Sequence, residues 1–171
     1  PPPAWRVACF VAGLVVLLVS LNGPMHDLAD YYLFLIHMVQ HLLLTLLLPP
    51  LLIAGTPGWL LSPLVRRPGV RAVARVVTHP LMAGALFTVV LTAWHTVPLY
   101  DLMMRDHDMH IVAHLMFMVS AVIMWWPVMS PVPEVPPLPL GGRILYLFLV
   151  SGPMQFVAAI ITMADEPLYS W

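Results

Sequence analysis

Apolar residues dominate five long segments of the chain, and short breaks rich in proline, glycine or charged residues separate them. Each segment is long enough, as a helix rising about 1.5 Å per residue, to cross a hydrocarbon layer of about 30 Å. The pattern predicts an all-α fold, a polytopic transmembrane helical bundle, in which residues 1–171 form a single integral membrane domain. The five predicted spans cover about residues 5–21, 29–53, 80–100, 109–129 and 142–164.

The composition indicates that lipid surrounds this bundle. Hydrophobic residues make up 61% of the chain and charged residues only 9%, whereas soluble proteins carry about 25% charged residues. The net charge is −1, and the chain has neither a basic patch nor a glycine-rich phosphate loop. The sequence therefore predicts a lipid bilayer as the surrounding medium and no nucleic acid as a partner.

Arginine placement predicts how the bundle is oriented. Four arginines follow the second apolar segment, and Arg143 lies after the fourth, whereas aspartates dominate the opposite breaks. Because cytoplasmic loops are enriched in positive charge, residues 58–79 and 130–143 are predicted to be cytoplasmic, as is the N-terminus. Residues 22–29 and 101–108 then face the other side of the membrane.

Histidines inside the apolar segments are the candidate functional residues. His37 with His41, and His110 with His114, form two His-x-x-x-His pairs, and His95 lies near the end of a third segment. Residues four apart project from one face of a helix, and ionisable groups in hydrocarbon are costly enough to indicate function. In the predicted orientation all five fall in the outer half of the membrane. We therefore predict that they form one metal site.

Copper is the predicted metal. Neutral imidazole binds copper, zinc, iron and nickel, and thioethers favour copper; the chain has 8 histidines and 12 methionines. The stretch 103–110 interleaves thioether, imidazole and carboxylate groups, which suits an entrance for copper. The weaker candidates for ligands, or for partners of ligands, are Met38, His107, Met109 and Asp165.

The same histidines leave other hypotheses open. Bis-histidine ligation between the second and fourth spans would suit a membrane cytochrome, with haem as the cofactor. A metal or proton transporter and a protein that only scaffolds its partners are further alternatives. An enzyme is not predicted, because Gln40 stands where a His-Glu-x-x-His metalloprotease has its general base, and no carboxylate pair lies in the apolar segments.

Several motifs resemble one known family. His37-Met-Val-Gln-His41 followed by Pro49-Pro-Leu-Leu-Ile-Ala-Gly-Thr-Pro57 is similar to the hallmark segment of the membrane-embedded cytochrome c oxidase assembly factors (CtaG-like). Later parts of the family pattern are matched, in order, by Trp94-His95, the second histidine pair, Trp125-Trp-Pro-Val128 and Ala164-Asp-Glu-Pro-Leu-Tyr169. The resemblance runs from about residue 25 to residue 171.

The resemblance implies a multi-pass protein of the bacterial plasma membrane that helps to build a haem–copper oxidase by inserting copper. An oxidase subunit is the implied recipient of the ion, and an extracytoplasmic copper chaperone is a hypothetical source. Family members resemble seven-helix proteins, so one or two spans are expected beyond residue 171. A homo-oligomer is left open.

Overall fold

A computed structural model gives the fold and describes residues 1–22, 28 and 34–166. The described residues form helices and no strand, which confirms the predicted fold class. A π-helical turn at Leu43–Leu47 joins α2 to α3. In chain order the helices are α1 (Ala4–Leu21), α2 (Phe34–Leu42), α3 (Leu48–Gly55), α4 (Gly58–Val65), α5 (Pro68–Val77), α6 (Pro80–Trp94), α7 (Val97–Arg105), α8 (His107–Met129) and α9 (Leu140–Thr162).

Four helical segments are long and apolar enough to cross a membrane, and a fifth joins them if α5 and α6 count as one bent span. Three of the four are α1, α8 and α9, and the fourth is Leu35–Gly55, which comprises α2, the π turn and α3. The first five residues of the predicted span 29–53 lie outside the described residues. The chain is thus a multi-pass membrane protein.

The predicted segment 80–100 is not one helix. Helix α6 ends at Trp94, and α7 begins at Val97 with Pro98 in its first turn. Proline lacks an N–H group, and in a continuous helix its ring would clash with the carbonyl of residue 94, so Pro98 favours a break here. The predicted loop 58–79 also contains structure, namely α4 and α5.

Helix α1 packs along α3, and small residues allow the two backbones to come close. A Cβ atom on Gly55 would lie 2.6 Å from the backbone nitrogen of Phe10, and a Cβ on Gly13 would lie 3.0 Å from Leu52 Cδ2. Glycine at such contacts is typical of helix pairs in membranes. At the other end of α1, Gln40 Nε2 donates a 2.7 Å hydrogen bond to the carbonyl of Ser20, which ties α2 to α1.

The Pro49-Pro50 pair does not end the second span. Both prolines lie in the first turn of α3, directly after the π-helical turn. Since neither has an N–H group, the carbonyl of Thr45 receives no donor from residue 49 or 50. Trp125 Nε1, on α8, donates to this carbonyl at 2.9 Å. Trp125 therefore satisfies a backbone group one turn beyond His41.

Replacing Trp125 with phenylalanine should lower the free energy of unfolding by about 1–3 kcal/mol, since the Thr45 carbonyl then stays buried without a donor. Trp126→Phe is the matched control. The neighbouring indole is also half-buried, but its Nε1 has no hydrogen-bond partner among the described residues. Chemical unfolding in detergent micelles would measure both variants. Equal losses would show that the hydrogen bond contributes nothing beyond ring volume.

A polar link joins α4 to the loop before α9. Ser62 Oγ donates to Glu134 Oε2 at 3.0 Å, and Arg66 Nε donates to Glu134 Oε1 at 2.7 Å. The Arg66 guanidinium holds the pKa of the Glu134 carboxyl below its usual range, with a smaller contribution from Ser62. Arg66 thus has an acidic partner.

Candidate metal centre

The histidine cluster lies where three helices meet. α2 carries His37 and His41, α8 carries His110 and His114, and His95 directly follows the last residue of α6. The four histidines of the two pairs are buried, with His37 fully inaccessible, and His95 is half-buried. Because α6 ends at Trp94, His95 lies at the end of the helix, beside the two pairs. The structure brings together all five histidines that the sequence singled out.

The imidazole rings lie close enough to contact one another. Within the pairs, the ring centroids are 4.4 Å apart for His37 and His41 and 4.5 Å apart for His110 and His114. Between the pairs, His41 lies 5.4 Å from His114, and His37 lies 5.9 Å from His110. His95 joins the cluster through His41, at 5.9 Å. His41 is therefore the central ring.

Two observations describe the nitrogen atoms. His95 Nδ1 lies 2.7 Å from the carbonyl oxygen of Leu91. A carbonyl oxygen only accepts hydrogen bonds, so Nδ1 carries the proton and Nε2 keeps the lone pair that a metal requires. His41 Nε2 is buried and has no hydrogen-bond partner within the described residues. A buried polar atom without a partner is rare enough to call for an explanation such as a bound ion.

The rings are close, but their nitrogens do not converge on one point. Within residues 1–22, 28 and 34–166, no three His, Cys, Asp or Glu side chains are arranged to hold a metal ion. Imidazole ligands approach an ion such as zinc to about 2.0–2.1 Å. Coordination would therefore require the imidazoles to rotate, and the assignment of the five as ligands stays a prediction.

The weaker candidates fall in different places. Met38 lines a pocket beside the cluster, whereas His107 and Asp165 are exposed. Met109 is half-buried, and its backbone N–H donates to the Asp106 carboxylate, which caps the start of α8.

Two residues of the predicted copper entrance, at 103–110, have structural roles instead. Met103 is buried in the apolar core, so its thioether does not line an opening. The Asp106 carboxylate is a helix cap, since it accepts hydrogen bonds from the backbone of residues 108 and 109.

Two aromatic side chains that the sequence pattern did not indicate pack against the histidine cluster. Phe117 lies 4.6 Å from His41 and 5.9 Å from His95, and Tyr100 lies edge-on to His37 at 5.9 Å. Phe117 could have been found, because it follows His114 by three residues and so shares its helix face. Tyr100 could not, because its position depends on the break between α6 and α7.

A pocket of about 190 Å³ adjoins the cluster. His41 and His95 lie in its wall, together with Met38 from α2 and Met154 from α9, and the rest of its lining is mainly apolar. Met154 is a soft donor that the sequence analysis did not consider. Because Phe117 of α8 and residues of α9 also line the wall, the pocket lies between the second, third, fourth and fifth predicted spans.

Comparison with known proteins gives one consistent result. The family model described as cytochrome c oxidase caa3 assembly factor matches residues 1–171. Proteins of Mycobacterium bovis and Mycobacterium tuberculosis, both described as uncharacterized, are 26% identical over 179 residues. A Mycobacterium leprae protein with the same description is 25% identical. The matches cover 95% of this chain but only 27% of each relative, so the chain spans about a quarter of their length. No solved structure matches the chain.

Proposed function

This chain belongs to the cytochrome c oxidase caa3 assembly factor family, and we propose that it binds copper through its histidine cluster and delivers the ion to the oxidase during assembly. The observation that carries the proposal is the meeting of His37, His41, His110 and His114, all buried and in ring contact, with His95 at the edge. The oxidase is the proposed recipient, and an extracytoplasmic copper chaperone is the proposed source.

Energetics support a ligand role for the cluster. Burying a polar group without a compensating partner costs about 1–3 kcal/mol by protein mutational data, so a purely structural core would gain from apolar side chains here. His41 is surrounded by three other imidazoles and Phe117, and its Nε2 lacks a hydrogen-bond partner among the described residues. A copper ion would supply a partner for such a nitrogen.

The packing favours an ion over haem. Rings of the two pairs lie 5.4–6.3 Å apart between centroids, and Phe117 and Tyr100 pack against the same rings. A porphyrin placed between the pairs would have to displace these contacts. Coordination of a single ion requires the imidazoles to rotate, but it requires no space for a macrocycle between the pairs.

The surroundings also argue against a transporter. In the described part of α8, apolar residues follow the cluster, including Phe117, Ala121 and Met124, all buried in the core. The hydroxyl of Ser120 donates a 3.1 Å hydrogen bond to the carbonyl of Phe117. A relay through the membrane would need polar groups here. The proposed exchange therefore takes place at the cluster, beside the pocket.

Placement in the membrane is part of the proposal. We place the chain in the bacterial plasma membrane with a cytoplasmic N-terminus, so that the histidine cluster lies toward the extracytoplasmic side. The excess of arginine in residues 58–79 supports this orientation. Copper would then reach the cluster without crossing the membrane.

Cells that lack the protein should assemble an oxidase with little copper, and the full-length protein should restore it. The same protein carrying His37→Ala and His114→Ala should restore less than a tenth of the oxidase copper. Loss of a residue that only hydrogen-bonds to a metal ligand already weakens metal affinity about 10- to 100-fold. The measurement is copper per oxidase after purification, with membrane levels of each variant checked by immunoblot. Normal copper with the double variant would refute delivery by these histidines.

A further inference from the structure

Helix α5, Pro68–Val77, has no buried residue, unlike α6, which follows it after a two-residue break. Its contacts within the described structure are with the neighbouring helices α4 and α6. A ten-residue helix is too short to be stable alone, since isolated helices under about 12–15 residues are marginal in water. Something outside the described fold is therefore expected to stabilise it.

The two exposed sides of α5 differ in character. Val73 and Val76 are 62% and 59% exposed. At about 100° per residue they project on the side opposite Arg71 and Arg75. Arg67, one turn before Arg71, extends the basic side. The helix thus has a valine face and an arginine face, with its protein contacts between them.

The orientation of α5 suits a membrane surface. The axis of α5 is bent by 66° from that of α6. If α6 runs along the membrane normal, α5 lies within about 25° of the membrane plane. Three arginines would be costly in hydrocarbon, so α5 is not expected to extend the span inward.

The charges of this region are not balanced within the fold. Arg66 is paired with Glu134, at 2.7 Å. Among the described residues, no acidic side chain pairs with Arg67, Arg71 or Arg75. Arginine binds phosphate groups through paired hydrogen bonds, and basic amphipathic helices lie at the surface of anionic membranes.

We propose that α5 lies in the membrane interface and binds the phosphate groups of anionic phospholipids through Arg67, Arg71 and Arg75, with Val73 and Val76 among the acyl chains. Lipid is favoured over a protein partner because α6, the more apolar part of a bent candidate span, holds α5 next to the bilayer. The exposed valines also require an apolar neighbour on the side away from the arginines.

Fluorescence in nanodiscs tests the valine face. The full chain carries Cys9→Ser, which removes its single cysteine, and Val73→Cys labelled with an environment-sensitive dye. We expect the dye to be shielded from acrylamide, a neutral quencher in water, in nanodiscs of phosphatidylcholine with phosphatidylglycerol. The reference is the same dye on Asp165→Cys, an exposed position. Equal quenching at both positions would overturn the proposal and indicate a surface for a soluble protein.

Lipid titration tests the arginine face. Phosphatidylglycerol should bind the detergent-solubilised chain more tightly than phosphatidylcholine does. Arg71→Gln with Arg75→Gln should weaken phosphatidylglycerol binding roughly 10- to 30-fold, since each basic residue near an anionic surface contributes about fivefold. Arg105→Gln is the matched control, because this arginine lies on α7 next to Asp101, at 3.9 Å. No preference for phosphatidylglycerol, or equal losses in both variants, would refute a specific role for α5.

Discussion

Replacing His37 with alanine should weaken the binding of copper to the purified chain by roughly a hundredfold or more, because loss of an outer partner alone costs about 10- to 100-fold. His37 is fully buried and contacts both members of the other pair, His110 at 5.9 Å and His114 at 6.3 Å. Its removal would take one nitrogen from the shared site and leave a void beside the other rings. Copper per chain after dialysis against a chelator of known affinity measures the loss.

A histidine outside the cluster provides a matched control. His79 directly precedes α6, and its side chain is exposed. His79→Ala should retain copper as the unmodified chain does. His37→Gln keeps a polar side chain in the cavity, so its behaviour separates ligand loss from a packing defect. Circular dichroism should show the same helix content in all three variants.

Combining substitutions distinguishes one shared site from two separate pairs. If His37 and His114 bind the same ion, the double alanine variant should lose little more than either single variant, since residues that act as a unit are not additive. Two independent pairs would instead give two bound ions, with each single variant removing one. Copper retained unchanged in both single variants would refute a shared site.

The sequence predicted the histidine cluster because two independent signals agreed. Spacing by four placed each pair on one helix face, and depth along the predicted spans placed both pairs in the outer half of the membrane. The structure confirms that the five histidines lie together, as shown by the ring distance of 5.9 Å between His95 and His41. Whether they bind copper remains a prediction.

The course of the third predicted span could not be obtained from hydropathy. Residues 80–100 are predominantly apolar, so the pattern gave one helix, but Pro98 ends α6 at Trp94 and starts α7. Pro98 follows Trp94 by four residues, and a proline disfavours a continuous helix because its ring clashes with the carbonyl four residues before it. The break matters because it brings Tyr100 against His37, a contact that a continuous helix would not predict.

At Pro49-Pro50 a local stop signal is present, but the helical span continues through it. Local rules predict that two prolines end or sharply bend a helix. The span continues to Gly55 because a π-helical turn precedes the prolines and Trp125 supplies a donor to the Thr45 carbonyl from 80 residues away in sequence. Such compensation is tertiary, and no single-segment pattern contains it. π-Helical turns are frequent at functional sites, and this one begins two residues after His41.

Replacing Gly55 with alanine should destabilise the protein by about 1–3 kcal/mol or more, the usual cost of overpacking. The new Cβ would lie 2.6 Å from the backbone nitrogen of Phe10 and 2.8 Å from its Cα. These are backbone atoms of α1, so no side-chain rotation relieves the clash and the two helices must separate. The separation would also break the 3.2 Å hydrogen bond that the Arg6 guanidinium donates to the carbonyl of Thr56.

Gly152→Ala is the control that isolates this close approach from glycine's effect on helix stability. Gly152 lies inside α9, and no heavy atom lies within 4 Å of its added Cβ among the described residues. Alanine there should stabilise the helix by about 0.5–1 kcal/mol, because glycine loses more conformational entropy on folding. Opposite signs for the two substitutions in detergent unfolding are the expected result. A neutral Gly55→Ala would show that α1 moves away from α3 without cost.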